Sequence, residues 1–188
     1  MKRRPSCSGF TLVELLVVIG IIGLLAGLAM PVYSTAVAKA NSMKCAQNLR
    51  AIGIAANLAA ADHDNKYMEI DQADMVIYTP QGPSILTALG PYGISDANVR
   101  CPMDLQKGSA SAYQTYQTKF GPTYGSSYEW NPVFDDDETN ATAVYVSPDP
   151  SVPPLPVASS RVRLAMDFYG LHRGRSNAVY GDGHVSAR

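Results

Sequence analysis

The sequence is poor in charge and has no closely paired cysteines. Only 16% of its 188 residues are charged, and the formal net charge is −1. Basic residues group only in Lys2–Arg4 and in the RGR stretch at 173–175, so nucleic acid is not expected as a partner. The three cysteines, Cys7, Cys45 and Cys101, form no Cys-x-x-Cys pair, which argues against a structural zinc site.

Motifs for catalysis are also missing from the sequence. It contains no nucleophile elbow, no phosphate-binding loop and no carboxylate pair at a motif spacing. Serine and histidine occur, but no surrounding pattern makes them a catalytic triad. We therefore expect the protein not to be an enzyme and to need no cofactor.

What the sequence does have is one long apolar run near its N-terminus. The run from Phe10 to Met30 is 21 residues long, and as a helix it would span about 31 Å, enough to cross a bilayer. The basic residues before it predict that residues 1–9 stay in the cytoplasm and that the rest is exported. One charge, Glu14, lies inside the run, where a carboxylate is costly unless something offsets it.

Three interpretations of this segment are open on the residues alone. It could be a secretory signal cleaved after a small residue such as Ala29, or a plain membrane anchor. The run is long for a signal core, and neither interpretation explains Glu14. The third interpretation comes from the stretch Gly9-Phe10-Thr11-Leu12-Val13-Glu14, which resembles the processing site of type IV prepilins and type II secretion pseudopilins.

This resemblance implies how the segment is processed and used. A prepilin peptidase would cut between Gly9 and Phe10, and the new amine of Phe10 would then be methylated. On physical grounds, Glu14 of one subunit could then pair with the Phe10 amine of a neighbour in a low-dielectric setting. That would make Glu14 an assembly residue, whereas the alternative is a glutamate tolerated by snorkelling.

The sequence predicts four successive regions. They are a cleaved leader (1–9), a transmembrane helix half (10–30), a soluble helix half (31–62) and a globular head (63–188). We expect Pro31 to kink or locally unwind the helix, which would resume near Val32 and end near Ala61, before the DHDN stretch. Residues at helical spacing form one apolar stripe on the second half: Cys45, Leu49, Ile52, Ala56 and Ala59.

The head is predicted to be α+β, with a small antiparallel sheet, in the pilin-like plan of a long helix and a globular head. Seven segments are strand candidates: Tyr67–Ile70, Met75–Tyr78, Tyr128–Trp130, Ala143–Val146, Arg161–Phe168, Ala178–Tyr180 and His184–Ser186. The proline-rich stretch 147–158 is predicted to be an extended surface loop.

A second resemblance concerns the head. His172 is followed, after nine residues, by Asp182-Gly183. Together with NLRAIGIA (48–55) and CPMD (101–104), this resembles a branch of pilin-like proteins abundant in planctomycetes and verrucomicrobia. The YGDGHV stretch predicts a tight hairpin turn in which Gly181 and Gly183 adopt positive φ.

Several head residues are weaker site candidates. His172 and Asp182 could pin turns, or they could bind a metal or ligand with His184 and Asp167. An acidic run is either a solvated loop or a calcium site; its residues are Asp135, Asp136, Asp137 and Glu138. Major secretion pseudopilins have a calcium site in the head, but this sequence does not match it residue for residue.

Cys45 and Cys101 both lie on the exported side, where disulfides persist. A bond between them would join the head to the helix, and two separately buried thiols are the alternative. Cys7 would be lost with the leader.

We therefore predict a structural subunit of a type II secretion-like pseudopilus or a type IV pilus-like filament. Its partners would be copies of itself, other pilin-like subunits, the prepilin peptidase and methyltransferase, and the membrane. It would cross the inner membrane once, with its head in the periplasm or on the cell surface. A pseudopilin is favoured because the paired C-terminal cysteines of many pilins are missing. The alternative is a single-span anchored module whose head binds metal or glycan.

Overall fold

The computed structural model describes residues 10–70, 82–131, 138–139, 143–146, 155–168, 172 and 176–187. The chain divides into two compact units, residues 1–39 and 40–188. The first described element, helix α1, runs from Leu12 to Asp62. Its residues up to 39 belong to the first unit, and its later residues belong to the second.

Helix α1 continues through Pro31, so the predicted local unwinding at this proline is wrong, and the alternative of a kink stays a prediction. A proline removes one amide donor and crowds the carbonyl group four residues earlier, which bends many helices without ending them. The hydroxyls of Ser34 and Thr35 both donate to the Pro31 carbonyl oxygen, each at 3.0 Å. The predicted end of the helix is confirmed: α1 ends at Asp62, and Asp64 and Asn65 then take positive φ angles of 53° and 59°.

The described residues of the second unit form three further α-helices, which sequence analysis did not predict. They are α2 (Ile85–Leu89), α3 (Pro102–Leu105) and α4 (Ala112–Phe120). With nine residues or fewer, each is too short to show a clear apolar periodicity. Serine hydroxyls cap two of them: Ser84 accepts from the amide of Thr87 at 3.2 Å, and Ser111 accepts from the amide of Gln114 at 3.1 Å.

The described residues also form two antiparallel sheets, and the α+β prediction is confirmed. The strands are β1 (Tyr128–Trp130), β2 (Glu138–Thr139), β3 (Ala143–Val146), β4 (Leu155–Ala158), β5 (Arg163–Asp167), β6 (Asn177–Tyr180) and β7 (Val185–Ala187). The four-stranded sheet has the order β1-β5-β6-β7 and the three-stranded sheet has the order β2-β3-β4.

Five of the predicted strands are present within a residue or two at their ends, and two other predictions fail. Tyr67–Ile70 is irregular, although Tyr67 and Ile70 are buried. Burial does not require a strand, and the Tyr67 hydroxyl donates to Asn57 Oδ1 at 3.0 Å. Of the predicted loop at 147–158, residues 147–154 lie outside the described residues, and Leu155–Ala158 form strand β4, where Pro156 pairs with Tyr145. A proline is tolerated there because β4 is an edge strand. The Met75–Tyr78 prediction lies outside the described residues.

The apolar stripe on α1 is buried as predicted. Its five residues are at most 2% exposed: Cys45, Leu49, Ile52, Ala56 and Ala59. Gly53, between two of them, lies so close to β6 that a Cβ atom built on it would be 2.4 Å from Val179 Cγ2. The helix and the sheet therefore approach each other at a position that only glycine fits.

Candidate functional site

The first unit presents an apolar helix surface with little cover. Phe10 is 72% exposed and Leu12 is 85% exposed, and other large apolar side chains up to Tyr33 are similarly bare. By length and composition the helix could cross a membrane, and its most apolar 18-residue window buries none of its surface inside the protein. Such a surface needs lipid or other helices around it.

Thr11 and Glu14 form a reciprocal cap at the start of α1. Glu14 Oε2 accepts from the amide of Thr11 and from its hydroxyl, each at 2.8 Å. In return Thr11 Oγ1 accepts from the amide of Glu14 at 3.3 Å. This is a capping box, in which residues three apart satisfy each other's free amides. Sequence analysis missed Thr11, although a Thr-x-x-Glu spacing before an apolar run is its recognised signal.

The predicted cleavage position is only partly described by the structure. Gly9 lies outside the described residues. Phe10 is exposed and precedes the first residue of the cap. Cleavage and methylation at this bond therefore stay predictions from sequence.

Cys45 and Cys101 form a disulfide in the second unit. Their Cα atoms are 5.0 Å apart, and both residues are fully buried. The bond joins α1 to the residue just before α3, across 56 positions of sequence. Closing a loop of this length restricts the unfolded chain strongly, by about 4 kcal/mol in the chain-entropy model.

The CPMD stretch (101–104) contributes two structural residues whose roles could not be predicted from sequence. Cys101 supplies the disulfide, and Asp104 is fully buried. Its carboxylate accepts from the amides of Ala112 and Tyr113 at 2.9 and 3.0 Å, and from the Ser127 hydroxyl at 2.7 Å. Asp104 therefore holds the start of α4 against the approach to β1.

The NLRAIGIA stretch places a buried amide against the same region. Asn48 Nδ2 donates to the carbonyl oxygen of Arg100 at 2.8 Å and contacts the Tyr128 hydroxyl at 3.1 Å. Burial of that hydroxyl raises the pKa of Tyr128, while its bond to Asn48 opposes the rise. Asn48 thus fixes helix α1 to the segment that contains Cys101.

His172 belongs to a buried polar cluster next to the disulfide. Its Nε2 lies 2.7 Å from Asp167 Oδ2 and 3.9 Å from Cys101 Sγ. Its Nδ1 lies 2.9 Å from the Met103 Sδ. The backbone amide and side-chain amide of Asn177 also donate to Asp167, at 2.8 and 2.7 Å.

Asp182 lies in the turn between β6 and β7, as predicted. The amide of Gly183 donates to the carbonyl oxygen of Tyr180 at 2.8 Å. Only Gly183 has the expected positive φ, of 82°. Gly181 is required for another reason: a Cβ atom there would lie 3.1 Å from the Ser159 carbonyl oxygen.

The side chain of Asp182 is held by His184. Its Oδ1 accepts from the His184 amide at 3.1 Å and lies 2.6 Å from the ring Nδ1, and this ring stacks on Tyr180. Desolvation by itself would raise the pKa of Asp182, but the hydrogen bonds and the charge attraction from His184 outweigh it and lower this pKa. His172 and Asp182, the two residues of the C-terminal signature, therefore belong to two separate pairs: His172 with Asp167, and Asp182 with His184.

The structure does not bring the four candidate metal ligands of the head together in one site. His172 pairs with Asp167, whereas Asp182 pairs with His184. Within the described ranges, the only three ligand-type side chains close enough to share an ion are Cys45, Cys101 and His172. In the acidic run, Asp135, Asp136 and Asp137 lie outside the described residues, and Glu138 begins β2.

Comparison with known proteins identifies the N-terminal segment. Residues 4–30 match the family model described as the prokaryotic N-terminal methylation motif. No curated protein and no solved structure matches the chain. The motif supports processing by a prepilin peptidase and pilin-like assembly. With this motif and its long apolar N-terminal helix, the chain fits a type IV pilin-like protein.

Proposed function

We propose that the chain is a structural subunit of a type II secretion-like pseudopilus or a type IV pilus-like filament, assembled through α1. The observation that supports this most directly is the bare apolar surface of residues 10–33, with one carboxylate at its start. Neighbouring subunits would cover that surface side by side. The proposed role is structural and involves no catalysis.

The electrostatic part of the proposal depends on the negative charge of Glu14. Both donors that Thr11 offers to its carboxylate are neutral, so the cap positions the charge without neutralising it. Cleavage after Gly9 would create a cationic amine on Phe10, near the same end of the helix. In a packed filament, the Phe10 amine of one subunit would meet Glu14 of a neighbour offset along the axis.

The strength of this pair follows from its surroundings. Removing one partner of a charge pair that is shielded from water costs about 3–5 kcal/mol, because the other charge is left alone. That cost weakens each subunit contact by roughly 10²–10⁴-fold. Removing the Glu14 charge should cost a monomer much less free energy than a filament. In the monomer, Glu14 bonds only to Thr11 of the same chain and has no charged partner on another subunit.

The cap and the charge can be separated by substitution. Glu14→Gln keeps a side chain that fits a capping box but removes the charge. Thr11→Val removes the hydroxyl and keeps the charge. We expect Glu14→Gln and Glu14→Ala to be cut normally and to yield few filaments, whereas Thr11→Val, at a helix cost of about 1 kcal/mol, still assembles.

The measurement is filament yield after shearing, with the mass of the mature chain and the protease resistance of the head as controls. Normal yield from Glu14→Gln together with failure of Thr11→Val would show that the cap, not the charge pair, governs assembly. Recovery of the wild-type chain only as monomers would instead support the anchored-module alternative.

The finer assignments belong to the same proposal. The chain would cross the inner membrane once, with residues 1–9 in the cytoplasm before cleavage and the second unit outside. Its partners would be copies of itself and other pilin-like subunits, besides the peptidase and methyltransferase. We favour the secretion pseudopilus because the C-terminal part of the sequence has no cysteine pair.

A further inference from the structure

The disulfide lies beside the buried pair of His172 and Asp167. The Cys45 and Cys101 sulfurs and a ring nitrogen of His172 all lie within 4.8 Å of one another, and all three residues are buried. Asp167, also fully buried, approaches the same imidazole. Two sulfurs, one imidazole and one carboxylate are the ligand types that zinc takes in tetrahedral sites.

From this geometry we propose that the reduced protein binds one zinc ion through Cys45, Cys101 and His172. Asp167, which contacts the same imidazole but lies outside this group of three, would move toward the metal and supply the fourth ligand. The disulfide and the zinc ion exclude each other, because both use the same two sulfurs. The second unit would therefore be cross-linked by the Cys45–Cys101 disulfide under oxidising conditions and by the zinc ion under reducing conditions.

The distances are close to those that zinc needs. With zinc–sulfur bonds of about 2.3 Å and zinc–nitrogen bonds of about 2.0 Å, a tetrahedral site separates sulfur from nitrogen by about 3.6 Å. The distance from Cys101 Sγ to His172 Nε2 is 3.9 Å. After reduction, two thiolates on one tetrahedral zinc ion would lie about 3.8 Å apart.

The zinc ion would replace the hydrogen that His172 and Asp167 now share. Their contact of 2.7 Å between Nε2 and Oδ2 would open by less than about 1 Å to admit the metal. Groups around the cluster already hold these two ligands in place. Asn177 donates twice to Asp167, and Met103 Sδ lies 2.9 Å from the other ring nitrogen of His172.

The chemistry needs a reductant, for which a dithiol is sufficient. The dithiol transfers two electrons and two protons to the Cys45–Cys101 bond and itself closes to a cyclic disulfide. The two cysteine thiols then lose their protons to solvent as zinc binds. Reoxidation would reverse the sequence and expel the metal.

The test uses the full chain in detergent, in oxidised form and after reduction and removal of the dithiol without oxygen. Each form is titrated with Co²⁺, which reports thiolate ligands by charge-transfer absorption, and then with Zn²⁺ in competition. We expect the reduced chain to bind one ion per chain with these bands, and the oxidised chain to show none. If the reduced chain has lost its fold, metal addition should restore its near-ultraviolet circular dichroism.

Variants separate this site from adventitious binding. We expect His172→Gln and Asp167→Asn to weaken zinc binding by about 10–100-fold or more. His184→Gln is the matched control, since it removes an exposed imidazole that also pairs with an aspartate. The proposal is overturned if reduced wild-type protein shows no thiolate bands, or if His184→Gln weakens binding as much as His172→Gln does.

Discussion

Gly53 offers a sharp test of how α1 packs on the four-stranded sheet. In a helix interior, alanine normally stabilises relative to glycine by about 0.8–1.0 kcal/mol. Here the added Cβ would lie 2.4 Å from Val179 Cγ2, about 1 Å closer than ordinary contact allows. Val179 is fully buried in β6 and is stiff at χ1, so it cannot easily yield.

The expected change in the free energy of unfolding is the steric cost of the clash minus the gain in helix propensity. Overpacking of a rigid site costs about 2–3 kcal/mol, so Gly53→Ala should lower the free energy of unfolding by about 1–2 kcal/mol. Val179→Ala alone should cost about 2 kcal/mol through lost burial and a cavity. In that background the clash is gone, so Gly53→Ala should become stabilising, and the double variant should be more stable than Val179→Ala.

The assay is denaturant unfolding of the detergent-solubilised full chain, followed by the fluorescence of Trp130. Gly23→Ala is the matched control, because Gly23 lies inside the same helix and a Cβ built on it meets no atom within 4 Å from elsewhere in the protein. It should be neutral or slightly stabilising. If Gly53→Ala stabilises wild-type protein as Gly23→Ala does, the close approach of α1 to β6 is wrong.

Three further predictions test other parts of the chain. Asp104→Ala should cost about 3–5 kcal/mol in unfolding measurements, because it leaves two amides and a hydroxyl unsatisfied in the interior; a loss below 1 kcal/mol would contradict this. Since the pKa of Asp182 is lowered, its stabilising effect should be full above its ordinary pKa and vanish as the pH falls through the lowered value. Asp182→Asn should therefore lose less than about 1 kcal/mol at neutral pH and nothing in strong acid. Intact mass of the exported protein should show a chain that begins at Phe10 with one added methyl group, and a start at Met30 would instead support an ordinary signal peptide.

Sequence alone was sufficient for the features that depend on local order along the chain. The apolar run, the leader pattern and Glu14 predicted the long apolar helix and the methylation motif, because hydrophobicity and short motifs lie in consecutive residues. The stripe on α1 was predicted by its spacing of three and four residues. The turn at Asp182 was predicted because glycine and aspartate favour turns wherever they occur.

Other features depend on residues that are distant in sequence, and only the tertiary structure decided them. Spacing could not pair Cys45 with Cys101, nor show that His172 meets Asp167 rather than Asp182. The demand for glycine at position 53 comes from Val179, 126 positions away, because the steric limit is set by packing between a helix and a sheet. The helix continues through Pro31, because the local cost of one proline is spread over a cooperative helix of 51 residues.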